Sequence, residues 1–400
     1  MPIEVPGVVG ARPYTRATMK FLHTADWQLG MTRHFLEGEA QARYSAARRD
    51  AIVAIGALAR ETGAEFVVVA GDVFDANQLA PKVVSQSLDA MRAIDVPVYL
   101  LPGNHDPLDA SSVYTSELFV AECPKHVTVL DRAGVWAVRP GVEILAAPWR
   151  SKKPTTDLTA EVLAGVQADG TVRILLAHGA VDSLDPDRDN PARIALAGLT
   201  AAIDSSAMHY VALGDKHSRT CVGESGCVWY AGSPEVTDYD HKEADSGSVL
   251  VVDIDLDDPA HPVTVESRSV GAWRFVTLRR EINNSRDLAD LDLNLDQLPD
   301  KERTVVKLGL VGTLTVTDRA ALDATIDRYS RRFASLWMWE RHTDIAVMPA
   351  DGEFDDLGIG GFAADAVAEL VDTARSASAS ADTARGALAL LLRLRDGNAA

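Results

Sequence analysis

Five short apolar runs in this sequence each end in polar side chains of the kinds that bind metal ions. The runs occupy residues 21–22, 66–70, 98–101, 173–177 and 210–213, and their bulky aliphatic side chains are typical of buried strands. The polar residues that follow them are, in chain order, Asp26 and Gln28, Asp72 and Asp75, Asn104 and His105, His178, and Asp215 and His217. Since ligand sites of open α/β sheets form at the carboxyl ends of the strands, we expect all five groups to converge on one place.

The mixture of carboxylate, amide and imidazole groups suits divalent metals such as Mn²⁺, Mg²⁺, Fe²⁺ or Zn²⁺. Each group alone is weak evidence, because a Gly-Asp pair after a strand is more often a turn than a metal ligand. A single buried histidine is likewise more often a hydrogen-bonded core residue. Five such groups in succession, each at a strand end, favour a metal site over five unrelated turns.

Helical patterns alternate with these strands. Residues 40–60 carry apolar side chains at roughly helical spacing, among them Tyr44, Ile52 and Ile55. Strand and helix in alternation predict an α/β fold in which helices pack on the faces of a sheet. The 400 residues are enough for two or three domains.

The pattern changes after the prolines at 259 and 262, so the first domain is predicted to span residues 19–262. Residues 271–348 predict a small α+β domain, with a helix over 320–333 and with Trp337 and Trp339 at its end as core residues or domain contacts. Residues 349–361 are acidic and rich in glycine and predict a linker, followed by helices over 362–375 and 383–395. Residues 1–18 have no periodic pattern and predict a flexible extension, with Met19 as the natural start.

Charge and cysteine content narrow the function classes. The 58 acidic and 39 basic residues give a net charge of −19, which is unfavourable for binding nucleic acid without help from metals or a partner. Three cysteines without a CxxC pair favour a reducing cytoplasm over a disulfide framework. No run approaches the roughly 18 apolar residues of a membrane span, and the first 18 residues lack the apolar core of a signal peptide.

The five motifs together resemble the calcineurin-like metallophosphoesterase superfamily. Within it, residues 22–27, 71–75 and 230–235 are similar to the SbcD type of DNA repair exonuclease subunit. The resemblance covers residues 19–240 at the level of motifs and extends more loosely over 271–348, which looks like the capping domain of that family. It implies a two-sheet sandwich flanked by helices, with a small capping domain and C-terminal helices.

The resemblance also implies a site for two divalent ions that share Asp72. One ion would be held by Asp26, Gln28, Asp72 and His217, and the other by Asp72, Asn104, His178 and Asp215. Such a pair generates hydroxide near neutral pH for in-line attack on phosphorus. His105 would orient the phosphate and help to protonate the leaving oxygen. Asp75 would hold a water or a supporting hydrogen bond, or it is simply a turn carboxylate.

The sequence departs from the family at two ligand positions, because Gln28 and Asp215 stand where the family has histidine. An amide oxygen and a carboxylate are harder donors than imidazole, so we expect the ion preference to shift towards Mn²⁺, with Mg²⁺ or Fe²⁺ as alternatives, and away from Zn²⁺. Weakened catalysis is the other interpretation. Complete loss of metal binding would more naturally place an apolar residue at 215.

The resemblance implies a metal-dependent phosphodiesterase that acts on DNA ends or hairpins in double-strand-break repair, in the cytoplasm and together with an SMC/ABC-type, SbcC-like ATPase. That partner would supply most of the DNA-holding surface, which the acidic chain lacks. Two alternatives stay open: a phosphoesterase for small molecules or nucleotides on the same fold, and a scaffold protein with weakened catalysis. The family also implies a homodimer.

Two segments outside the motifs have two interpretations each. The C-terminal helices, with Phe362, Val367, Leu370 and Val371 on an apolar stripe, either dock on the ATPase or pack back onto this chain. The basic run of Arg150, Lys152 and Lys153 after Trp149 either contacts phosphates or is a solvated loop.

Overall fold

The computed structural model describes residues 18–258, 262–347, 360–376 and 379–395. The chain divides into two compact units: the first comprises residues up to Met31 together with 45–237 and 245–271, and the second comprises 32–44, 238–244 and the chain from Ala272 onwards. The expected extension falls outside the described residues except for Thr18, which begins the first strand. The expected linker falls outside them except for Gly360 and Gly361.

The described elements of the first unit are, in chain order, β1 (Thr18–Thr24), α1 (Gly38–Thr62), β2 (Val67–Val69), α2 (Pro81–Met91), β3 (Val98–Leu100), α3 (Glu117–Glu122), β4 (Val127–Val129), β5 (Gly134–Arg139), β6 (Val142–Ala147), α4 (Leu158–Leu163), β7 (Val172–His178), α5 (Leu196–Asp204), β8 (Tyr210–Gly214), β9 (Thr220–Cys221), β10 (Val228–Tyr230), β11 (Ser248–Asp255) and β12 (Val263–Ser269). Residues 38–44 of α1 are assigned to the second unit. The five predicted strands are therefore β1, β2, β3, β7 and β8, and the helix expected over 40–60 is α1.

The strands of the first unit form two six-stranded sheets. One has the order β12-β11-β1-β2-β3-β4 and the other β5-β6-β7-β8-β10-β9. Strands β1 to β4 run parallel to one another, as do β6, β7, β8 and β10. The carboxyl ends of the predicted strands of each sheet therefore meet at one edge, as the motifs required.

The alternation of side chains across each sheet builds the layers. Val68 and Leu176 point into the core between the two sheets, with Phe21 and Tyr210. Val67 and Val69, on either side of Val68, pack on the other face of the sheet against α1 and α2. Leu175 packs outwards against α5. Period-two alternation explains why such continuous apolar runs form strands, because both faces are buried. The result is the predicted two-sheet sandwich flanked by helices.

The second unit contains β13 (Arg274–Glu281), α6 (Ser285–Gln297), β14 (Thr304–Leu314), α7 (Val316–Ser330), β15 (Ser335–Met338), β16 (Asp344–Val347), α8 (Phe362–Arg375) and α9 (Ala381–Arg395). Strand β14 is central, and β13, β15 and β16 all pair with it in parallel. Asn284 and Thr315 cap α6 and α7 by accepting hydrogen bonds from backbone amides of the first turn.

The prediction that Trp337 lies at the end of a helix is wrong. Helix α7 ends at Ser330, and Trp337 lies in β15, where it pairs with Lys307 of β14. The indole N–H of Trp337 donates to the hydroxyl of Tyr239 at 2.7 Å. The ammonium group of Lys307 lies 4.0 Å from the centre of the Trp339 ring, so this ring already binds a cation of the same chain.

The C-terminal helices pack within the second unit. Val367 and Ala374 of α8 and Ala384 and Leu388 of α9 are buried in a cluster that also contains Val316 of α7. On the predicted stripe, Val367 is buried and Leu370 and Val371 are partly buried against the same cluster. Phe362, in contrast, is 88% exposed. No helix in the described part of the chain is both long enough and apolar enough to cross a membrane.

Candidate metal centre

The loop after β1 brings Asp26 and Gln28 to the carboxyl edge of the sheet. The backbone amide of Asp26 donates to the carbonyl of Gly71 at 3.0 Å, and that of Gln28 donates to the carbonyl of Asp72 at 2.8 Å. Both side chains are buried. The loops that follow β1 and β2 are thus hydrogen-bonded to each other, which fixes the spacing of their carboxylates.

Asp72 occupies the centre of the group. One of its carboxylate oxygens, Oδ1, accepts a hydrogen bond from the backbone amide of His105 at 2.9 Å. A Cβ atom at Gly103 would lie 2.2 Å from this oxygen, so glycine is needed there for the close approach of the loop after β3.

His178, the last residue of β7, joins the two sheets at this edge. Its Nδ1 atom lies 2.9 Å from the carbonyl oxygen of Ala70, which can only accept, so Nδ1 carries the proton. Its Nε2 atom then faces Asn104 Oδ1 at 2.9 Å, Asp72 Oδ1 at 3.4 Å and Asp215 Oδ1 at 3.8 Å. A backbone carbonyl that orients the second nitrogen is the usual support of a metal-binding histidine.

Asp26, Asp72 and His178 form one compact set of donor atoms. Their ligand atoms all lie within 4.8 Å of one another, and all three side chains are buried. Asp215 adds to this set, because its backbone amide lies 3.1 Å from Asp26 Oδ1 and its carboxylate lies near His178. The carboxylates come from loops after three different strands, so the fold rather than local sequence assembles them.

The electrostatics of this set are those of a cation site. Burial raises the pKa of Asp26 to about 7, with His217 and His178 opposing the rise and Asp72 and Asp215 adding to it. Burial opposes the protonation of His178, but the attraction of Asp72, Asp26 and Asp215 outweighs it and raises the pKa of His178 to about 9. Without a cation the group therefore takes up protons to offset its own negative charge.

Gln28 and His217 also show whether the residues present suit a bound cation. Gln28 Nε2 lies 3.0 Å from His217 Nε2, and the other ring nitrogen of His217 is within hydrogen-bond distance of the Thr237 hydroxyl. Gln28 Oε1 is buried and has no hydrogen-bond partner among the described residues. A buried acceptor without a donor is costly, and a cation would satisfy it. The residues present therefore fit divalent ions with mainly oxygen donors.

His105 and Asp75 lie beside this group. Nδ1 of His105 lies 2.9 Å from the backbone carbonyl of Asp75, while the Asp75 carboxylate is 3.9 Å from the same nitrogen. His105 Nε2 is 3.9 Å from Asp72 Oδ2, and the His105 side chain is 40% exposed. Asp75 thus reaches His105 through its main chain, and Nε2 of His105 is left facing the centre.

Backbone strain is concentrated at the same place. Among the described residues, six that are not glycine have positive φ, and four of these are Asp26, Gln28, Asp72 and Asp215. Positive φ is uncommon outside glycine and persists only where the surrounding structure enforces it. Strain at four candidate ligands is a feature of functional sites that the sequence pattern did not reveal.

Three further residues support the site and were not predicted. Asp106 is fully buried and accepts hydrogen bonds from the amides of Phe74 and Gly103 and from the hydroxyl of Tyr114, at 2.9, 2.8 and 2.6 Å. Burial and the charge of Asp72 still raise the pKa of Asp106 to about 6. Its position directly after His105 was the available signal.

Arg48 and Trp149 lie next to no candidate ligand in the sequence, so their position gave no indication that they support the site. Arg48 is buried in α1 and donates to the carbonyls of Trp27 and Val236, at 3.0 and 3.2 Å, which ties the first loop to a later one. The indole N–H of Trp149 donates to the carbonyl of His178 at 2.6 Å. Both contacts join residues far apart in sequence, so no local pattern could have predicted them.

Comparison with known proteins gives a family model and several relatives. The model described as calcineurin-like phosphoesterase matches residues 19–243. The SbcD component of nuclease SbcCD from Rhodobacter capsulatus is 29% identical over 397 residues, covering 85% of this chain and 91% of that protein. DNA double-strand break repair protein Mre11 of Archaeoglobus fulgidus is 28% identical over 246 residues, covering 56% of this chain and 52% of that protein. The SbcD component of nuclease SbcCD from Bacillus subtilis is 34% identical over 106 residues, covering 25% of this chain and 26% of that protein.

Proposed function

The chain belongs to the calcineurin-like phosphoesterase family, and we propose that it is the nuclease component of a DNA repair complex, a two-metal phosphodiesterase that cleaves DNA ends or hairpins. The expectation of a metal-dependent hydrolase is confirmed by the family model and by its nuclease relatives. The observation that supports the proposal most is the buried group of Asp26, Asp72 and His178 at the shared edge of two sheets.

We propose that Asp26, Gln28, Asp72 and His217 hold one ion and that Asp72, Asn104, His178 and Asp215 hold the other. The two ions, when bound, supply a nucleophile at neutral pH and positive charge for the phosphoryl oxygens. Oxygen donors outnumber imidazole nitrogens in this set, which favours Mn²⁺ as the native ion, with Mg²⁺ or Fe²⁺ as alternatives.

We assign the proton that reaches the leaving oxygen to Nε2 of His105. The carbonyl of Asp75 keeps the proton on Nδ1, so Nε2 gains and loses its own proton without a change of ring orientation. The backbone amide of His105 meanwhile holds Asp72, so the same loop positions both the acid and a metal ligand. Asp75 in this proposal positions His105 and does not contact the substrate.

DNA is the substrate we favour over a small phosphodiester. The match to the Rhodobacter protein extends over 85% of this chain and so includes the second unit. We propose that residues 19–262 are the nuclease domain and that 271–348 are a capping domain that recognises DNA. The protein would act in the cytoplasm as a homodimer, with an SbcC-like ATPase that supplies the positive surface missing from a chain of charge −19.

We further propose that residues 349–400 attach the ATPase. Val367 and Leu388 are buried within the chain, so the two helices would present a folded surface to the partner rather than an unoccupied apolar stripe. Among the side chains of these helices that the structure describes, Phe362 at 88% exposure and Leu390 at 51% are the large apolar ones open to a partner.

The decisive experiment measures metal content and turnover on the same preparation. The full chain is loaded with Mn²⁺, Mg²⁺ or Zn²⁺ and assayed on bis-p-nitrophenyl phosphate and on end-labelled DNA, with and without the ATPase. We expect two bound ions and Mn²⁺-dependent cleavage of both substrates, lost in Asp72→Ala and kept in the exposed-site control Glu39→Gln.

Cleavage of the small diester alone, with and without the partner, would replace the nuclease by a small-molecule phosphoesterase. Two bound ions without any turnover, even with the ATPase present, would show that the protein is a metal-binding scaffold and not a nuclease.

A further inference from the structure

A basic pocket of about 610 Å³ lies in the first unit, outside the group of candidate ligands. Arg132, Arg150 and Lys153 line it together with three hydroxyl side chains, and Glu161 contributes one carboxylate. The three cations are exposed and lie on two loops, one before β5 and one after β6. Such a concentration of positive charge is unexpected in a chain of net charge −19.

These cations form no ion pair with the carboxylates that the structure describes. In the part of the chain that the structure describes, no carboxylate lies within 4.0 Å of a side-chain nitrogen of Arg132, Arg150 or Lys153. Arg150 donates to the backbone carbonyl of Asp131 at 3.0 Å, and the guanidinium of Arg132 lies 4.4 Å from the Trp136 ring centre. Both arginines are thus held in place by contacts that are not ion pairs.

Trp149 connects this pocket to the metal centre. It precedes Arg150 directly, and its ring lies 6.0 Å from the His178 ring, edge to face. Its backbone amide and carbonyl are hydrogen-bonded to Pro102 and Leu108, on either side of the loop that carries Asn104 and His105. The pocket is therefore joined through one rigid residue to two of the loops that form the centre.

We propose that this pocket binds a backbone phosphate of a nucleic-acid strand whose scissile phosphate lies at the metal centre. This rests on the proposed function. Arginine, lysine and hydroxyl side chains are the groups that contact phosphate oxygens without reading sequence. Phosphates of one strand recur about every 3.4 Å along a duplex axis, so a strand bound at the metal centre presents further phosphates on either side of the scissile bond.

Trp149 stands in the chain between Pro148 and Arg150 of the pocket, and its ring packs against His178 of the metal centre. The side chain is half-buried and is fixed by its hydrogen bond to His178. An aromatic side chain near basic residues is the combination with which proteins bind single-stranded nucleic acid, stacking bases on the ring and holding phosphates with the cations. The pocket therefore selects an oligonucleotide strand over a phosphodiester too short to span both sites.

The test compares two doubly neutralised variants of the full chain loaded with Mn²⁺. The pocket variant is Arg150→Gln with Lys153→Gln. The control is Lys125→Gln with Arg139→Gln, which removes the same charge at the opposite, amino-terminal edge of the strands, before β4 and at the end of β5. Each is assayed on bis-p-nitrophenyl phosphate and on a single-stranded oligonucleotide over a series of salt concentrations.

We expect the pocket variant to cleave bis-p-nitrophenyl phosphate like the wild type, while its KM for the oligonucleotide rises about tenfold at low salt. The slope of log KM against log salt concentration should fall by about 0.7, because the pocket holds one phosphate and each lost single-strand phosphate contact removes about this much. The control variant should change neither quantity.

An unchanged oligonucleotide KM in the pocket variant, or an equal change in the control, would overturn the inference. Failure of the proposed function is distinguishable, because the wild type would then leave the oligonucleotide uncleaved, with or without turnover of bis-p-nitrophenyl phosphate. Equilibrium binding of a fluorescent oligonucleotide then decides the inference by itself. The inference is supported if the wild type binds the oligonucleotide and the pocket variant does not. It is refuted if both proteins bind it or if the wild type does not bind it.

Discussion

The Nδ1 atom of His178 lies 2.9 Å from the carbonyl oxygen of Ala70, and this contact joins the end of β7 in one sheet to the end of β2 in the other. It fixes the tautomer of the histidine and points Nε2 at Asp72. The carboxyl ends of the parallel strands of the two sheets are thereby held at one place, where each sheet contributes candidate ligands that the other lacks.

The close packing around Asp72 predicts the effect of one methyl group. In Gly103→Ala the new Cβ atom would lie 2.2 Å from Asp72 Oδ1 and 2.5 Å from the Asp72 amide nitrogen, so the carboxylate must move. We expect kcat/KM for bis-p-nitrophenyl phosphate to fall about a hundredfold, because small misplacement of catalytic groups has effects of this size.

Gly198→Ala is the matched control. Gly198 lies in α5 with open space around its Cβ position, so alanine should raise stability by up to about 1 kcal/mol and leave turnover unchanged. Equal activity of the two variants would show that the approach of Gly103 to Asp72 has no part in holding the site.

Gln28 and Asp215, the two proposed ligands that differ from the family pattern, predict a change of metal preference. Gln28 and Asp215 have φ values of 42° and 98°, and histidine is among the residues found more often at positive φ. In Gln28→His with Asp215→His, we expect the ratio of Zn²⁺ to Mn²⁺ affinity to rise at least about tenfold, because imidazole is the softer donor. Competition dialysis with elemental analysis measures that ratio.

Gln28→Glu with Asp215→Asn serves as the control for these substitutions, because it changes both side chains without adding a nitrogen ligand of the imidazole type. A similar Zn²⁺ to Mn²⁺ ratio in the two double variants would mean that neither position binds the ions.

The sequence-level prediction of the site succeeded where the pattern was local. A strand followed by a polar group is visible in the sequence, so Asp26, Asp72 and His178 could be placed together in advance. The contact between Gln28 and His217 spans 189 positions, and the one between Trp149 and His178 depends on how two loops meet. No local pattern contains such information.

The misplacement of Trp337 has a similar cause. Residues 331–339 lack a helical or a strand period, and the sequence alone extended the preceding helix to 333. The chain instead forms β15, because pairing with β14 satisfies its backbone groups and brings Trp337 to Tyr239. Tertiary contacts decided the conformation of this segment.

Buried His23 predicts how stability depends on pH. Burial lowers the pKa of His23 to about 3, against a small opposing effect of its hydrogen bond to Leu213. In the unfolded chain the pKa is about 6.5, so between pH 6.5 and 3 the unfolded state binds a proton that the folded state does not. Stability contributed by neutral His23 is therefore complete above pH 6.5 and falls by up to about 1.4 kcal/mol per pH unit below it.

The measurement is the urea midpoint of the metal-free chain at pH 7.5 and at pH 5.5. His23→Gln should be less stable at pH 7.5 and should lose less on acidification than the wild type, since glutamine does not titrate. Parallel losses in the two proteins would contradict the assigned role of His23.

The packing of the C-terminal helices predicts two different phenotypes. Leu388 is fully buried against α7, so Leu388→Ala should lower the free energy of unfolding of the second unit by about 2 to 5 kcal/mol. Phe362 is exposed, so Phe362→Ala should leave stability unchanged and weaken capture of the proposed ATPase. Thermal unfolding and pull-down on the two variants measure these effects. If Leu388→Ala is as stable as the wild type, the helices do not pack back onto the chain.

Each proposed ion takes ligands from both sheets: Asp26, Gln28, Asp72 and Asn104 follow strands of one, and His178, Asp215 and His217 belong to the other. An ion bound there would fasten the sandwich at that edge as well as serve the reaction. Ligands that bind only the folded state lower the fraction of molecules open to proteases. Removal of the ions would therefore make the protein easier to degrade, in addition to stopping the reaction.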